Sequence, residues 1–490
     1  MRIPFPERVP INRVAIFAVA LFLIQQFEGT ARYFSAGCAV FILVAAVAFN
    51  AAGGLTRASG AYVFFYSLLV VIVGICYKAY LGEPAQSNLR DPHTDIEIYV
   101  GSITAMLAAV IVSRRISRKS GLLKNLLRDS EMYRASVGCI VFGVFGTTLI
   151  ALLGEASGQV NSAFSQLNQL IPVGIIIGVM YEIRRSGGTR SLNLTTLLAS
   201  VYVFVFFGLF SFSKQGMLLP VACWFLPVCA LRFRLSALQI VSCFAFVFIV
   251  FYYLVPYAQY GRKFIEPNMT LSQHLALTTR LLVSPEETRQ NFEQDFAVGG
   301  YYNTPQGFWD RLQFVSVDDK LINVTDHEGK VIGLLPVTSS LFNAVPHFLW
   351  PNKPNYNLGN LYAHEIGGIT SEEDTSTGVS FSPTSEAYHM KKWLGVLVVA
   401  PLVWLTMFVL FDSLCGDLRT TPWGLLVLAF LSHTAAEGAI SGLIYFMTFG
   451  TEALLFCAFF AKWAAPFFAI PVLGPDRRGA ASRISFVPSP

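Results

Sequence analysis

The sequence predicts an all-α polytopic membrane protein with about twelve transmembrane helices and one large polar segment late in the chain. Composition is the first observation: only 13% of the 490 residues are charged, 54% are hydrophobic, and the mean hydropathy is +0.54. A soluble domain usually has about 25% charged residues to cover its surface. The second observation is that the apolar residues come in long runs. The third is that cationic residues alternate between successive connections.

The apolar runs are long enough to cross a hydrocarbon core of about 30 Å, which takes roughly 20 helical residues. We expect an N-terminal membrane domain of about nine spans in residues 1–257, about three more spans in residues 393–468, and a cytoplasmic tail at residues 469–490. Candidate spans begin near Ile11, Tyr33, Ala61, Ile96, Ala135, Gln166, Leu194, Met217, Ser236, Trp393, Trp423 and Ser441.

The cations predict the orientation, because short connections rich in Lys and Arg stay in the cytoplasm. Every second connection is basic, whereas the intervening short ones hold few cations. This alternation predicts an even number of spans, with both termini cytoplasmic. The basic connections contain Arg2, Arg8 and Arg13; Arg57; seven cations from Arg114 to Arg134; Arg184, Arg185 and Arg190; Arg232 and Arg234; Arg419; and Arg477, Arg478 and Arg483.

The same parity places the large polar segment, defined here as residues 258–392, outside the cytoplasm between the ninth and tenth spans. Within it, Val331 to Trp350 is apolar. Pro336 and Pro346 argue against a plain spanning helix there, so we expect a re-entrant or interfacial segment with short helices. A spanning helix is the alternative, and it would reverse the orientation of everything that follows.

Several functional classes are disfavoured. The eight Cys residues lie in or beside apolar runs, and none lies in the large polar segment. A disulfide framework and a CxxC metal site are therefore not expected. The chain has no G-x-x-x-x-G-K-[ST] motif, which argues against an ATP-driven machine. The first apolar run lacks an obvious small-residue cleavage site, so we do not expect a cleaved signal peptide.

The end of the large polar segment concentrates aromatic and hydrogen-bonding residues. Trp350-Pro351-Asn352-Lys353-Pro354 is followed by Gly359-Asn360-Leu361-Tyr362-Ala363-His364-Glu365 and a Ser/Thr-rich strip from Thr370 to Ser382. Pro383-Thr384-Ser385-Glu386-Ala387-Tyr388 comes last. Aromatic rings stack on the C–H faces of sugars, and the polar side chains can bind sugar hydroxyls. The composition therefore favours a carbohydrate substrate.

The layout and these motifs resemble the Wzy-type O-antigen and exopolysaccharide polymerases. The resemblance rests on Trp350 to Pro354, Gly359-Asn360, Thr375 to Ser382, Pro383 to Tyr388 and Gly395. Arg311 resembles an arginine found earlier in that family's loop. Ser211-Phe212-Ser213-Lys214-Gln215-Gly216 looks like the family's Ser-x-Ser-Arg-Gly connection. Lys214 replaces the arginine there, which weakens a bidentate phosphate contact at this position.

The resemblance implies transfer of a glycan from undecaprenyl diphosphate to another lipid-linked repeat unit on the periplasmic face of a bacterial inner membrane. A chain-length regulator and a flippase are possible partners in the bilayer; no nucleic acid and no cofactor are expected. The reaction needs cations around the diphosphate leaving group and a base for the acceptor hydroxyl. For the cations we expect Arg262, Lys263, Arg280, Arg311 and Lys353.

For the base, Glu386 is our first choice and His364 the second, with His347, Glu365 and His389 also considered. Each of these is more often structural than catalytic when taken alone. Further candidates for substrate binding are Trp350, Asn352, Tyr388 and Lys214.

His433 and Glu437 form a separate candidate pair, since residues four apart share one helix face. Ionisable groups near a bilayer are costly and often functional. Their mutual hydrogen bond is the simpler interpretation, and lining a lipid-diphosphate or acceptor cavity is the functional one. A zinc site is weakly indicated because no third ligand stands out.

Three other functions remain open. An O-antigen ligase would share this architecture, and the Pro-x-x-Glu-x-Tyr element favours the polymerase over it. A twelve-helix transporter would place its long loop at the midpoint on the cytoplasmic side and would show similar halves. A flippase of lipid-linked sugars would carry more charge inside the spans and would not need so large an external segment.

Overall fold

The computed structural model describes residues 1–153, 166–265, 269–295, 300–304, 309–345, 349–354, 356–366, 373–374 and 378–474. Within these ranges the chain is helical and contains no β-strand. The predicted tail at 469–490 lies outside the described residues beyond position 474, as do Pro346, His347 and Thr375.

Nine helices precede the large polar segment in the described part of the chain. They are α1 (Ile11–Phe27), α2 (Arg32–Ala52), α3 (Ala58–Leu81), α4 (Pro92–Ile116), α5 (Met132–Leu153), α6 (Leu170–Arg185), α7 (Leu194–Phe210), α8 (Lys214–Ala230) and α9 (Ala237–Arg262).

The large polar segment folds into short helices over its described residues. They are α10 (Leu271–Val283), α11 (Pro285–Asp295), a 3₁₀ turn (Trp309–Leu312), α12 (Val315–His327), α13 (Leu335–Ala344), α14 (Leu358–Ile366) and α15 (Pro383–Lys391). After it come α16 (Gly395–Cys415), α17 (Pro422–Glu437), α18 (Ala439–Phe468) and α19 (Ile470–Leu473).

Among the described residues, eight helices are long and apolar enough to cross a membrane, and three further apolar helices, α1, α7 and α8, are shorter. The protein is therefore a multi-pass membrane protein. The predicted start near Trp423 corresponds to α17, which has 16 residues. The total of about twelve spans stays a prediction, because a crossing needs about 17–25 residues and four of the candidates lie at or below the lower limit.

The apolar stretch from Val331 to Trp350 contains α13, which has only ten residues. At 1.5 Å per residue such a helix is about 15 Å long, half the thickness of the hydrocarbon core. Pro336 occupies its first turn, where a missing backbone N–H breaks no helical hydrogen bond. This helix alone does not cross a bilayer, and it packs against the start of α18, where Ser340 Oγ lies 3.2 Å from the Ser441 carbonyl oxygen.

The cation-rich connections meet at one end of the helical bundle, called the basic end below. Arg419 pairs with Glu7 at 2.8 Å, and Arg57 donates to the Lys119 carbonyl oxygen at 3.1 Å. The opposite end carries the large polar segment. There the Arg90 amide donates to Asp319 at 2.7 Å and Asn88 donates to the Tyr301 carbonyl oxygen at 3.0 Å. The connections that are basic in the sequence thus lie at one end of the bundle, and the large polar segment lies at the other end.

Glycines allow close contact where α15 leads into α16. An added Cβ at Gly395 would lie 1.7 Å from the Ala387 carbonyl oxygen, so no other residue fits without moving the backbone.

Every residue from Pro383 to Met390 is buried. The helix α15 is therefore packed inside the protein, although polar residues prevail in its sequence.

Candidate functional site

A cavity of about 550 Å³ lies among α6, α7, α8, α9, α17 and the Trp309–Leu312 turn. This volume is typical of small-molecule sites, which hold about 300–1,000 Å³. Its ionisable lining residues are Lys214, Arg311, His433 and Glu437. These four residues, predicted from separate parts of the sequence, line one cavity. The structure thus brings together a part of the large polar segment and two helices outside it, α8 and α17.

Lys214 is the first residue of α8, and the preceding turn places it in the cavity wall. Phe212 adopts a left-handed conformation with φ 45°, and the Ser213 hydroxyl accepts the Gly216 amide at 3.2 Å. Gly216 lies against the backbone of α7, since an added Cβ would be 1.9 Å from the Phe207 carbonyl oxygen. The positive end of the α8 dipole and the Lys214 ammonium therefore face the same space.

Side chains of α9 hold the turn before α8 in place through hydrogen bonds. Arg262 Nε donates to the Phe212 carbonyl oxygen at 2.9 Å, and the Tyr257 hydroxyl donates to the Leu209 carbonyl oxygen at 3.0 Å. Arg262, predicted to bind diphosphate, thus uses its guanidinium to hold the turn that presents Lys214. Its contact with the cavity is indirect.

A hydrogen-bonded group joins α8 to the last turn of α17. Glu437 lies 2.8 Å from His433 Nε2 and 3.4 Å from Lys214 Nζ. Gln215 Nε2 also contacts the His433 ring. The predicted contact between residues 433 and 437 is confirmed. The group is partly exposed, with 41% of the His433 side chain accessible, so it can reach a molecule in the cavity.

Arg311 enters the cavity from the large polar segment. Its Nη2 donates to Gln259 Oε1 on α9 at 2.9 Å. Burial lowers the pKa of Arg311 from its ordinary value, because a desolvated cation is disfavoured. An arginine nevertheless stays protonated in proteins and offers five N–H donors. A partly desolvated guanidinium of this kind attracts an anion more strongly than a solvated one.

The connection between α17 and α18 is a sharp break beside Glu437. Ala439 has φ 50°, which is rare for a residue with a Cβ. An added Cβ at Gly438 would lie 2.4 Å from the Thr434 carbonyl oxygen, so the break requires glycine there. The chain between Trp423 and Phe468, where the sequence predicts two spans, is thus divided at a turn with a left-handed residue that borders the cavity.

Glu386 is fully buried and binds the start of α18 rather than lining the cavity. Its carboxylate accepts the Ile440 amide at 2.6 Å and the Ser441 amide at 3.0 Å. It also accepts the Ser441 hydroxyl at 3.2 Å and the Tyr362 hydroxyl at 2.7 Å. Burial raises the pKa of Glu386, while these donors oppose the rise. With four donors around it, this carboxylate is saturated.

A second buried carboxylate holds α15 itself. Asp318 on α12 accepts the Ser382 amide at 2.9 Å, the Ser385 hydroxyl at 2.6 Å and the Tyr99 hydroxyl at 2.9 Å. Burial raises the pKa of Asp318 to about 6. Asp318 thus holds Ser382, the N-cap residue of α15, and Ser385 in its first turn, and α15 in turn caps α18 through Glu386.

The other predicted site residues lie outside the cavity lining. The His364 ring contacts the Asn360 carbonyl oxygen at 2.8 Å, and Lys353 donates to the Val345 carbonyl oxygen at 2.8 Å. Tyr388 donates to Asp326 at 2.6 Å. The remaining members are Arg280, which lies 5.8 Å from the Phe264 ring, Trp350, which packs edge-on against Phe342, and the exposed Lys263 and Asn352.

Several polar lining residues were not predicted as site residues. Gln215, Ser211 and Ser213 belong to the turn motif quoted from the sequence, which contained a signal for them. Asn168 and Gln169 precede α6 and had no such signal, because their part in the site depends on tertiary packing. Among the described residues, no group of three His, Cys, Asp or Glu side chains is arranged to hold a metal ion.

The fold and this cavity define a multi-pass membrane protein with a charged site beside the large polar segment. Comparison with protein-family models, with curated proteins and with solved structures finds no match to this chain. The function therefore has to be inferred from the chemistry of the cavity together with the sequence resemblance.

Proposed function

We propose that this protein is a glycosyltransferase that polymerises oligosaccharide repeat units carried on undecaprenyl diphosphate. The product would be an O-antigen or exopolysaccharide chain made on the periplasmic face of the inner membrane. The observation that carries the proposal is a single cavity holding two cations and a His–Glu pair between apolar walls. This combination matches an amphiphilic donor with an anionic diphosphate and a long apolar tail.

The leaving group would be stabilised by Arg311 and Lys214. In the reaction, an acceptor hydroxyl oxygen forms a bond to the anomeric carbon of the donor sugar. The bond from that carbon to the diphosphate oxygen breaks, and the diphosphate leaves with the electron pair. Cations placed where this charge develops lower the barrier, most of all in a site that excludes water. The N-terminal end of α8 adds a partial positive charge.

The acceptor proton would pass to His433. Histidine is the commonest general base in enzymes, and Glu437 at 2.8 Å would orient the His433 ring and stabilise the imidazolium that forms. Glu386, our choice from sequence, suits this role less well, because its oxygens are already occupied by four donors. It also does not line the cavity.

The apolar walls support a polyprenyl donor. Phe207, Phe251 and Val255 contribute to the lining from α7 and α9. The first half of α9, from Ala237 to Ile249, has no buried residue. A long prenyl tail could therefore remain among lipids along α9 while its diphosphate reaches the cations. Both helices contain π-helical turns here, which are common at functional sites.

Deleting the gene in the source bacterium and separating its surface glycans by gel electrophoresis tests the proposal. We expect loss of long chains and retention of single repeat units. Long chains retained on the lipid carrier would instead identify a ligase. Complete loss of external repeat units would identify a flippase, and unchanged surface glycans would reject glycan chemistry altogether.

A further inference from the structure

The carboxylate of Glu386 lies beside the cavity without entering it. Its two amide donors, from Ile440 and Ser441, belong to the first turn of α18. They follow Glu437 by only three and four residues. The first amides of a helix have no partner within the helix, and in a buried position they need an acceptor. Glu386 supplies that acceptor at the positive end of the helix.

The break that Glu386 caps has a conformation that the local sequence does not favour. Ala439 is left-handed with φ 50°, although it carries a Cβ. A residue keeps such a conformation only when its surroundings fix it. Here the fixed elements are α15, which is buried from Pro383 to Met390, and the two hydrogen bonds that backbone amides of α18 donate to its Glu386. Without this carboxylate, residues 437–440 have no evident reason to keep this path.

The direction of Glu437 depends on that path. Glu437 is the last residue of α17, and Gly438 and Ala439 follow it directly. Its carboxylate must meet both His433 at 2.8 Å and Lys214 at 3.4 Å. A rotation of the chain at Ala439 would move the Glu437 backbone and loosen both contacts. The cap on α18 and the ionic group in the cavity are therefore mechanically connected.

We infer that Glu386 is a positioning residue, which holds the α17–α18 break so that Glu437 orients His433 and Lys214 in the cavity. The inference rests on the proposed function for its catalytic consequence, but its structural part stands alone. A base must lose its proton to act, whereas a cap needs only an acceptor oxygen. Glutamine keeps one such oxygen at the same distance from the helix, and the Tyr362 hydroxyl can accept from its amide group.

The test compares Glu386→Gln with Glu386→Ala in the full-length protein, with Glu328→Ala as a control. Glu328 belongs to the same polar segment and pairs with Lys330 at 2.7 Å on the surface. Hydrogen–deuterium exchange at the amides of residues 440 and 441 in detergent-solubilised protein measures whether these amides stay hydrogen-bonded. We expect slow exchange in the wild type, Glu386→Gln and Glu328→Ala, and at least tenfold faster exchange in Glu386→Ala.

Surface glycan length in a complemented deletion strain measures the effect of each substitution on activity. We expect Glu386→Gln to restore long chains and Glu386→Ala to yield short ones at equal protein abundance. Unchanged exchange at residues 440 and 441 in Glu386→Ala would overturn the inference. So would a Glu386→Gln protein that keeps slow exchange yet is as inactive as Glu386→Ala, since Glu386 would then be the base.

The exchange measurement separates this inference from the proposed function. If the amides respond as expected but gene deletion leaves the surface glycans unchanged, the proposed reaction fails and the positioning of Glu437 by Glu386 is still supported. If deletion shortens the glycans while the amides do not respond, the reaction is supported and the positioning role is overturned.

Discussion

Arg311 differs from the other arginines of the large polar segment in the position of its guanidinium. It lines the cavity and is partly desolvated, whereas Arg280 packs over the exposed ring of Phe264. Arg262 is directed toward a backbone carbonyl oxygen. The sequence placed these three arginines in one group, because all lie in the same polar stretch. Distance to the cavity is a tertiary property, and it separates them.

Substitution of Arg311 should therefore affect activity more than substitution of Arg280. Loss of one preorganised donor to a developing anion typically lowers a rate by about a hundredfold. We expect Arg311→Ala to abolish long glycan chains, Arg311→Lys to leave shortened chains, and Arg280→Ala to have a smaller effect. Gel analysis of surface glycans, with immunoblots for protein abundance, measures this. Equal chain lengths in Arg311→Ala and the wild type would remove Arg311 from the proposed reaction.

Asp318 should make stability depend on pH in a defined direction. Its pKa rises from an ordinary 3.8 to about 6 in the folded protein because the carboxyl is buried. Between these values the folded state binds a proton that the unfolded state has released. The contribution of Asp318 to stability is thus most favourable at low pH. It falls by about 3 kcal/mol as pH rises from about 4 to about 6, and it changes little above that.

The measurement is the apparent melting temperature of detergent-solubilised wild type and Asp318→Asn between pH 4 and pH 7. Asparagine does not titrate, so subtracting its curve removes the contribution of all other groups. We expect the wild type to lose stability relative to Asp318→Asn as pH rises across this range. At low pH the two proteins should be about equally stable, because a protonated carboxyl group and an amide each keep one carbonyl oxygen for the Ser382 amide and the Ser385 hydroxyl. A constant difference would contradict the raised pKa.

At the scale of helices, the apolar runs predicted where most membrane helices lie, because length and hydropathy are properties of local sequence. Breaks between consecutive helices were harder to predict. The break between α17 and α18 depends on Glu386, which lies some 50 residues earlier and has no local signal. The buried state of α15 was also not predicted, since its polar residues are satisfied by tertiary partners such as Asp318 and Asp326.

The turn between α7 and α8 offers a test of helix packing. Gly216→Ala would place a Cβ 1.9 Å from the Phe207 carbonyl oxygen, so the two helices must separate or the turn must change. We expect low abundance of folded protein or loss of the Lys214 position, and short glycan chains in either case. Gly442→Ala is the matched control, because nothing lies within 4 Å of its added Cβ.

In a helix, alanine is more favourable than glycine by up to about 1 kcal/mol, so Gly442→Ala should fold at least as well as the wild type. Fluorescence-detected size-exclusion chromatography at increasing temperature compares the two variants. Wild-type behaviour of Gly216→Ala in both stability and glycan length would show that the close approach of α7 and α8 is not required.

At the scale of the whole molecule, the charge pattern predicted which connections lie together. The basic connections and the large polar segment occupy opposite ends of the bundle, as their alternation along the chain requires. The site was only partly predictable. Lys214, Arg311, His433 and Glu437 were each marked by unusual charge beside apolar sequence, but 219 residues separate Lys214 from His433, and nothing local indicated that they meet.

Which end faces the cytoplasm decides whether the cavity can meet lipid-linked glycans displayed outside. The positive-inside rule predicts that the basic end is cytoplasmic.

Cysteine labelling at two exposed turns can test this orientation. Lys330 follows α12 in the large polar segment, and Thr189 follows α6 at the basic end. The native thiols are buried or half-buried over the described residues, so labelling of Lys330→Cys and Thr189→Cys should exceed the background. In intact cells, a small membrane-impermeant maleimide should label Lys330→Cys and leave Thr189→Cys unmodified, and permeabilised cells should show labelling of both. The reverse pattern would place the large polar segment in the cytoplasm. The cavity beside it could then not meet glycans displayed outside, and the proposed periplasmic polymerase would be rejected.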